Sequence, residues 1–151
     1  MSHRYATSLH WTGSTAGGIR SYSRDHVATT EPSTAEVALS ADPGFRGSPD
    51  RLNPEQLVVM AASSCQMLSF LAVAARAGVE VLAYDDEATS HLDLGAQPPR
   101  LGEVRLRPTV TTGPDVAPDQ VRRLAEQAHR ECYVASSLSV PVVVETTVVT
   151  S

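Results

Sequence analysis

From residue 57 to residue 75 the chain carries no charged side chain. The apolar positions go nearly all the way round a helix, so the pattern predicts a long helix that other elements must cover on most sides. Its punctuation agrees. Asn53 suits the N-cap, Pro54 the first helical position and Glu55 the positive end of the helix dipole. Gly78, after Arg76 and Ala77, fits a stop signal. A second periodic run covers residues 118–131, where Val121, Leu124, Ala125, Ala128 and Cys132 follow a three-four spacing. It predicts an amphipathic helix with Cys132 on its inward stripe, near its end.

Alternation and turn residues predict strands in the remainder. Residues 5–11, 19–23, 26–30 and 36–39 read as short strands, with Gly17-Gly18 marking a turn. Residues 41–52, rich in proline and glycine, read as a loop that delivers Phe45, Arg46 and Arg51 just ahead of the long helix. Residues 80–94 and 100–112 read as two strands joined by a turn at 95–99; Val104, Leu106 and Pro108 alternate with Arg105, Arg107 and Thr109, as in a half-exposed antiparallel strand. A β-branched strand at 142–150 closes the chain. There is no internal repeat, low-complexity segment or linker, so residues 1–151 are expected to form a single α+β domain.

Composition narrows the function. The net charge is −5, and all twelve cationic residues are arginines. Scattered arginines on an acidic chain do not make the basic stripe that neutralises phosphates, which argues against nucleic acid as a partner. The long apolar segment could span a bilayer by length, but it contains Ser63, Ser64, Gln66 and Ser69 and much alanine, so a buried central helix is expected, with no membrane partner. No apolar run follows the first residues, so no signal peptide is expected. The expected compartment is the cytoplasm, where a lasting structural disulfide is disfavoured.

The two cysteines, Cys65 and Cys132, fall on the two predicted helices. Two inward cysteines on packed helices could meet and serve as a thiol pair; the plainer alternative is that each packs as a small hydrophobe. A metal site is not expected: His129 and Cys132 have local ligand spacing, but Cys65 has no companion and there is no CxxC pair. For reactivity, Cys65 needs help. A free thiol titrates at about 8.5 and burial raises it; in mid-helix Cys65 lies far from a helix N-terminus, so a cation is expected to activate it. Cys132, near a helix C-terminus, is expected to stay protonated because the dipole disfavours its thiolate.

Residues 53–57 (Asn-Pro-Glu-Gln-Leu), 61–65 (Ala-Ala-Ser-Ser-Cys) and 128–132 (Ala-His-Arg-Glu-Cys) together resemble the two signatures of the OsmC/Ohr family, the osmotically inducible protein C and organic hydroperoxide resistance proteins. The order of strands and helices fits along essentially the whole chain. Two positions depart from the pattern: Tyr133 stands where members usually have proline, and Gln66 where many have histidine or an aromatic residue.

The resemblance implies an intertwined α+β homodimer, with antiparallel sheets packed around a long central helix and sites at the subunit interface. It implies a thiol peroxidase that reduces organic hydroperoxides. Cys65 would attack the peroxide and become a sulfenic acid; Cys132 would condense with it to a disulfide, which an external dithiol, often of the lipoyl type, reduces. No bound cofactor is implied. Glu55 matches the glutamate that holds the activating arginine, although it also simply favours the helix dipole. Arg46, nine residues before Glu55 in a flexible loop, lies close to the arginine of OsmC-type members. Arg20 resembles that of Ohr-type members, and Arg24 and Arg51 stay open. Phe45 and Met67 are the expected pocket residues for an apolar peroxide. Two other readings remain: a non-catalytic module binding a hydrophobic ligand in the same fold, and a slow thiol redox sensor.

Overall fold

The computed structural model describes residues 2–151, so Met1 of the expected single domain lies outside the described residues. The chain divides into two compact units, Met1–Leu57 and Val58–Ser151, with the boundary inside the long helix.

In the first unit, strands β1 (Ser8–His10), β2 (His26–Thr29) and β3 (Glu36–Leu39) form an antiparallel meander in that order. The strand expected at 19–23 does not form. The Arg24 guanidinium takes the carbonyls of Ile19 and Tyr22 and stacks on the Tyr22 ring, 3.9 Å from its centroid. Acceptors that a sheet ladder would have used are thereby committed to a side chain, and the segment closes into turns. The loop after β3 is ordered by a 3-10 turn, Pro43–Phe45, which Asp42 caps by accepting from the Gly44 N–H at 2.7 Å. Arg46 ends it in the left-handed region, at φ 69°.

Helix α1 (Pro54–Arg76) begins with a reciprocal capping box. The Asn53 side chain accepts from the Gln56 N–H at 2.8 Å, and the Gln56 side chain accepts from the Asn53 N–H at 3.0 Å. It ends in a Schellman turn around Gly78 at φ 69°, with Val79 N–H donating to Ala74 and Gly78 N–H to Ala75.

In the second unit α1 buries one stripe, Ala62, Gln66, Phe70, Val73 and Ala74. The chain's own elements leave the rest of the helix uncovered: Met60, Leu68 and Leu71 are exposed at 49%, 60% and 38%. Length and composition alone would let the helix cross a membrane, but that stripe packs into the unit's own core.

The strands of this unit are β4 (Val81–Asp86), β5 (Leu92–Asp93), β6 (Arg100–Leu101), β7 (Val104–Leu106), β8 (Pro108–Thr112), β9 (Val142–Val144) and β10 (Thr147–Thr150). β4 lies antiparallel to β8, and β5 to β6, but β9 runs parallel to β7 and β10 to β8, so the sheets are mixed rather than wholly antiparallel. Each long strand expected from sequence is found in pieces. Pro108 has no N–H to continue the β7–β8 ladder, and the partner strand divides opposite it. Helix α2 (Pro118–Glu131) makes the crossover that parallel pairing requires. Its inward Val121, Leu124, Ala125 and Ala128 pack with Phe70, Val73, Ala74, Val79 and Val110. Burial of this kind, about 25 cal/mol per Å2 of apolar surface, is the main force holding the unit.

Candidate active site

Cys132 ends α2 and opens a short helix, α3 (Tyr133–Ser137), as the single extended residue between them, at φ −74° and ψ 112°. It continues the inward stripe one turn past Ala128 and is buried, while Cys65, on α1, is half-buried. Both are free thiols, and the fold brings them close enough for each to affect the other's ionisation.

Their environments pull them apart electrostatically. For Cys65 the largest influence is burial, which disfavours the thiolate, but four donors outweigh it: the backbone N–H of Val134, the Cys132 thiol, the backbone N–H of Tyr133 and the Ser69 hydroxyl. The net shift is downward. Cys132 is pushed up, first by burial and then by its bond to Cys65 and the charge there, against the backbone N–H groups of Ala135 and Val134.

Two sequence arguments change in consequence. Cys65 is indeed in mid-helix, yet a helix N-terminus does serve it: the first turn of α3 points amides at its sulfur. And Cys132 stays protonated mainly through burial, since it faces the start of α3 as much as the end of α2.

The first unit holds the remaining expected residues. Glu55 and Phe45 line one cavity of about 400 Å3 with Trp11, Tyr22, Arg24 and His26. Arg46 and Arg20 are exposed and do not line it. Among the described residues no ion pair joins Glu55 to any arginine; Arg51 pairs instead with Asp25 at 3.3 Å. Met67 lies half-buried on α1, in the second unit. No group of three or more metal-binding side chains gathers among the described residues.

Sequence reading missed three participants. Ser69 was visible only as a polar residue in an apolar helix, although it follows Cys65 by one turn. Gln66, noted as a departure, is 1% exposed, and its amide donates to the Ala125 carbonyl at 3.1 Å, tying α1 to α2. Tyr84 on β4 keeps its proton, pushed up by burial and then by the charges of Asp86 and Cys132. Its hydroxyl is buried without a partner, a feature with no sequence signal.

Comparisons with known proteins agree with this fold. An OsmC-like protein from Vibrio cholerae, of unknown function, is 27% identical, with 96% of this chain and 99% of that one covered at a TM-score of 0.85. An organic hydroperoxide resistance protein from Elizabethkingia anophelis shares the fold at 22% identity, full coverage of both chains and a TM-score of 0.70. Another, from Legionella pneumophila, shares it at 16% identity, 97% and 96% coverage and a TM-score of 0.73. No curated protein matches the sequence. The family model described as OsmC-like protein matches residues 47–147, which contain both cysteines, and the chain belongs to that family.

Proposed function

We propose that this protein is a two-cysteine organic hydroperoxide reductase. The observation that carries the reading is the pairing of two neighbouring free thiols whose environments push Cys65 down and Cys132 up. The Cys65 thiolate attacks the peroxide, R–O–OH; the O–O bond breaks, Cys65 keeps the distal oxygen as sulfenic acid, and the alkoxide leaves as ROH after taking a proton. Cys132 then attacks that sulfur, an S–S bond forms and water departs. An external dithiol, of the lipoyl type, returns both thiols by exchange. The cytoplasm, which is reducing, suits this cycle.

The active form is a homodimer. The exposed Met60, Leu68 and Leu71 of α1 favour burial against a second copy. Glu55 and Cys65 are ten helical residues apart, a rise of about 15 Å, which favours a site whose carboxylate and thiols come from different subunits. Arg46 is the arginine assigned to Glu55. Arg24 and Arg51 already have partners, whereas Arg46 is exposed and uncommitted among the described residues.

The test is peroxide consumption with a dithiol supply, together with intact mass after one equivalent of organic peroxide. Loss of two hydrogens without an added oxygen is expected. The absence of both turnover and mass change would overturn the reading. The aromatic cavity containing Phe45 favours a second reading, a binding module for an apolar ligand; binding without any thiol oxidation would select it.

A further inference from the structure

We propose that the cavity of the first unit is a binding site for an organic ammonium ion with an apolar body, an arylalkylammonium being the simplest case. All its lining residues precede Leu57, so it belongs wholly to that unit. Its walls are aromatic and held in place. Trp11 and Tyr22 meet edge to face, with ring centroids 6.2 Å apart. The indole N–H donates to the Ser23 carbonyl at 2.8 Å. A Cβ at Gly13 would stand 2.6 Å from the indole, so glycine there lets the ring lie flat against the chain. Phe45 lines the same space, and Trp11 and Phe45 are still 38% and 49% exposed. Fixed aromatic faces left uncovered are a surface to which a cation is drawn.

The polar groups of the lining select the sign of the ligand. Asp42 and Glu55 are carboxylates, which when ionised only accept hydrogen bonds. Arg24 donates to the carbonyls of Ile19 and Tyr22 and lies on the Tyr22 ring, so its guanidinium is already committed. His26 sets Nδ1 against the Arg24 carbonyl at 2.7 Å, which leaves the other nitrogen of the neutral ring an acceptor. The start of α1 would favour an anion, but it is occupied: Pro54 has no N–H, and the N–H groups of Gln56 and Leu57 bond to Asn53. Glu55 enters no ion pair among the described residues. Two carboxylates against one guanidinium leave the cavity one negative charge, the complement of a monocation. Its volume of about 400 Å3 is that of a small organic ligand site.

The inference does not rest on the peroxidase reading, since the thiols lie in the other unit and binding is measured without peroxide. Where Arg46 engages Glu55, it is itself a cation on that carboxylate, so it competes with the ammonium rather than assisting it.

Trp11 is the chain's one tryptophan, so the single indole N–H resonance reports on this cavity alone. The experiment follows that resonance in the full chain during titration with phenethylammonium, phenethyl alcohol and phenylacetate, which share a phenyl body and differ in charge. The ammonium is expected to move the resonance and to bind at least about tenfold more tightly than the alcohol, through a charge-assisted hydrogen bond and the aromatic faces. Phenylacetate should not bind. Glu55→Gln is expected to bring the ammonium down to the affinity of the alcohol, Phe45→Ala to weaken both, and Arg46→Ala to weaken neither. Equal affinity for ammonium and alcohol overturns the proposal, as does a preference for phenylacetate or no binding by any of the three. Ammonium binding that neither Glu55→Gln nor Phe45→Ala alters places the ligand elsewhere and overturns it as well. Should Glu55→Gln fail to fold, the three probes on the unaltered chain and on Phe45→Ala still decide.

Discussion

Cys65, in the middle of α1, and Cys132, at the junction of α2 and α3, lie close enough to bias each other's ionisation, Cys65 downward and Cys132 upward. That bias orders the two titrations. As pH rises, the group with the lowered pKa loses its proton first, so there is a window in which Cys65 is a thiolate and Cys132 a thiol. An attacking sulfur and a resolving sulfur need that division.

The first prediction separates those roles. Cys65→Ser is expected to abolish peroxide reduction and leave the fold intact. Cys132→Ser is expected to react once per chain and then carry Cys65 on to sulfinic acid, because no thiol remains to condense with the sulfenic acid. Peroxide consumption and intact mass read both; sustained turnover in Cys132→Ser would show that Cys132 is dispensable.

The second concerns Tyr133, whose side chain is 84% exposed while its N–H serves Cys65. Tyr133 opens α3, the position where proline is tolerated, and Cys132 before it is already extended, as a residue before proline must be. Tyr133→Pro therefore removes one N–H with little strain. The Cys65 alkylation profile is expected to move to higher pH, whereas Tyr133→Ala, which keeps the N–H, should leave it unmoved. Equal profiles for the two would remove the amide from the account.

Much of this was legible in the chain. Asn53, Pro54 and Gly78 mark α1 because capping is local chemistry, and the stripe from Val121 to Ala128 marks α2 because a helix buries one face. The α3 amides were not legible, since five residues after a cysteine, Tyr-Val-Ala-Ser-Ser, are too few to show a helical periodicity. Neither were the parallel pairings of β9 and β10, which depend on where α2 returns the chain. The strand expected at 19–23 was lost to the Arg24 side chain, an interaction that propensity does not weigh.

A third prediction tests the core around the thiols. Phe70 is fully buried and packs on Tyr84, with ring centroids 5.7 Å apart. Phe70→Ala should cost about 3–5 kcal/mol in urea unfolding. Gln66→Leu should change stability by less than about 1 kcal/mol. It gives up one hydrogen bond to Ala125, but it also removes a buried oxygen that has no partner, and the two effects oppose each other at similar size. A loss comparable to that of Phe70→Ala would mean that the amide does more than tie two helices together.

The last prediction weighs charge against the uncharged donors. Cys65 is already lowered by amides and hydroxyl or thiol donors; an arginine at the site would lower it further. In a Cys132→Ser background, Arg46→Ala removes the cation, and Glu55→Gln only loosens its placement, so the alkylation profile should move to higher pH by more in Arg46→Ala. Arg20→Ala is expected to leave the profile unmoved. A profile displaced by one pH unit means a tenfold loss of thiolate well below the pKa, about 1.4 kcal/mol. If the arginine comes from a second copy, the Arg46→Ala effect should vanish when the protein is diluted to monomer, which sedimentation monitors. A displacement confined to Arg20→Ala would transfer the role to the arginine after the glycine turn. No displacement in any variant would leave Cys65 activated by Ser69 and the α3 amides alone.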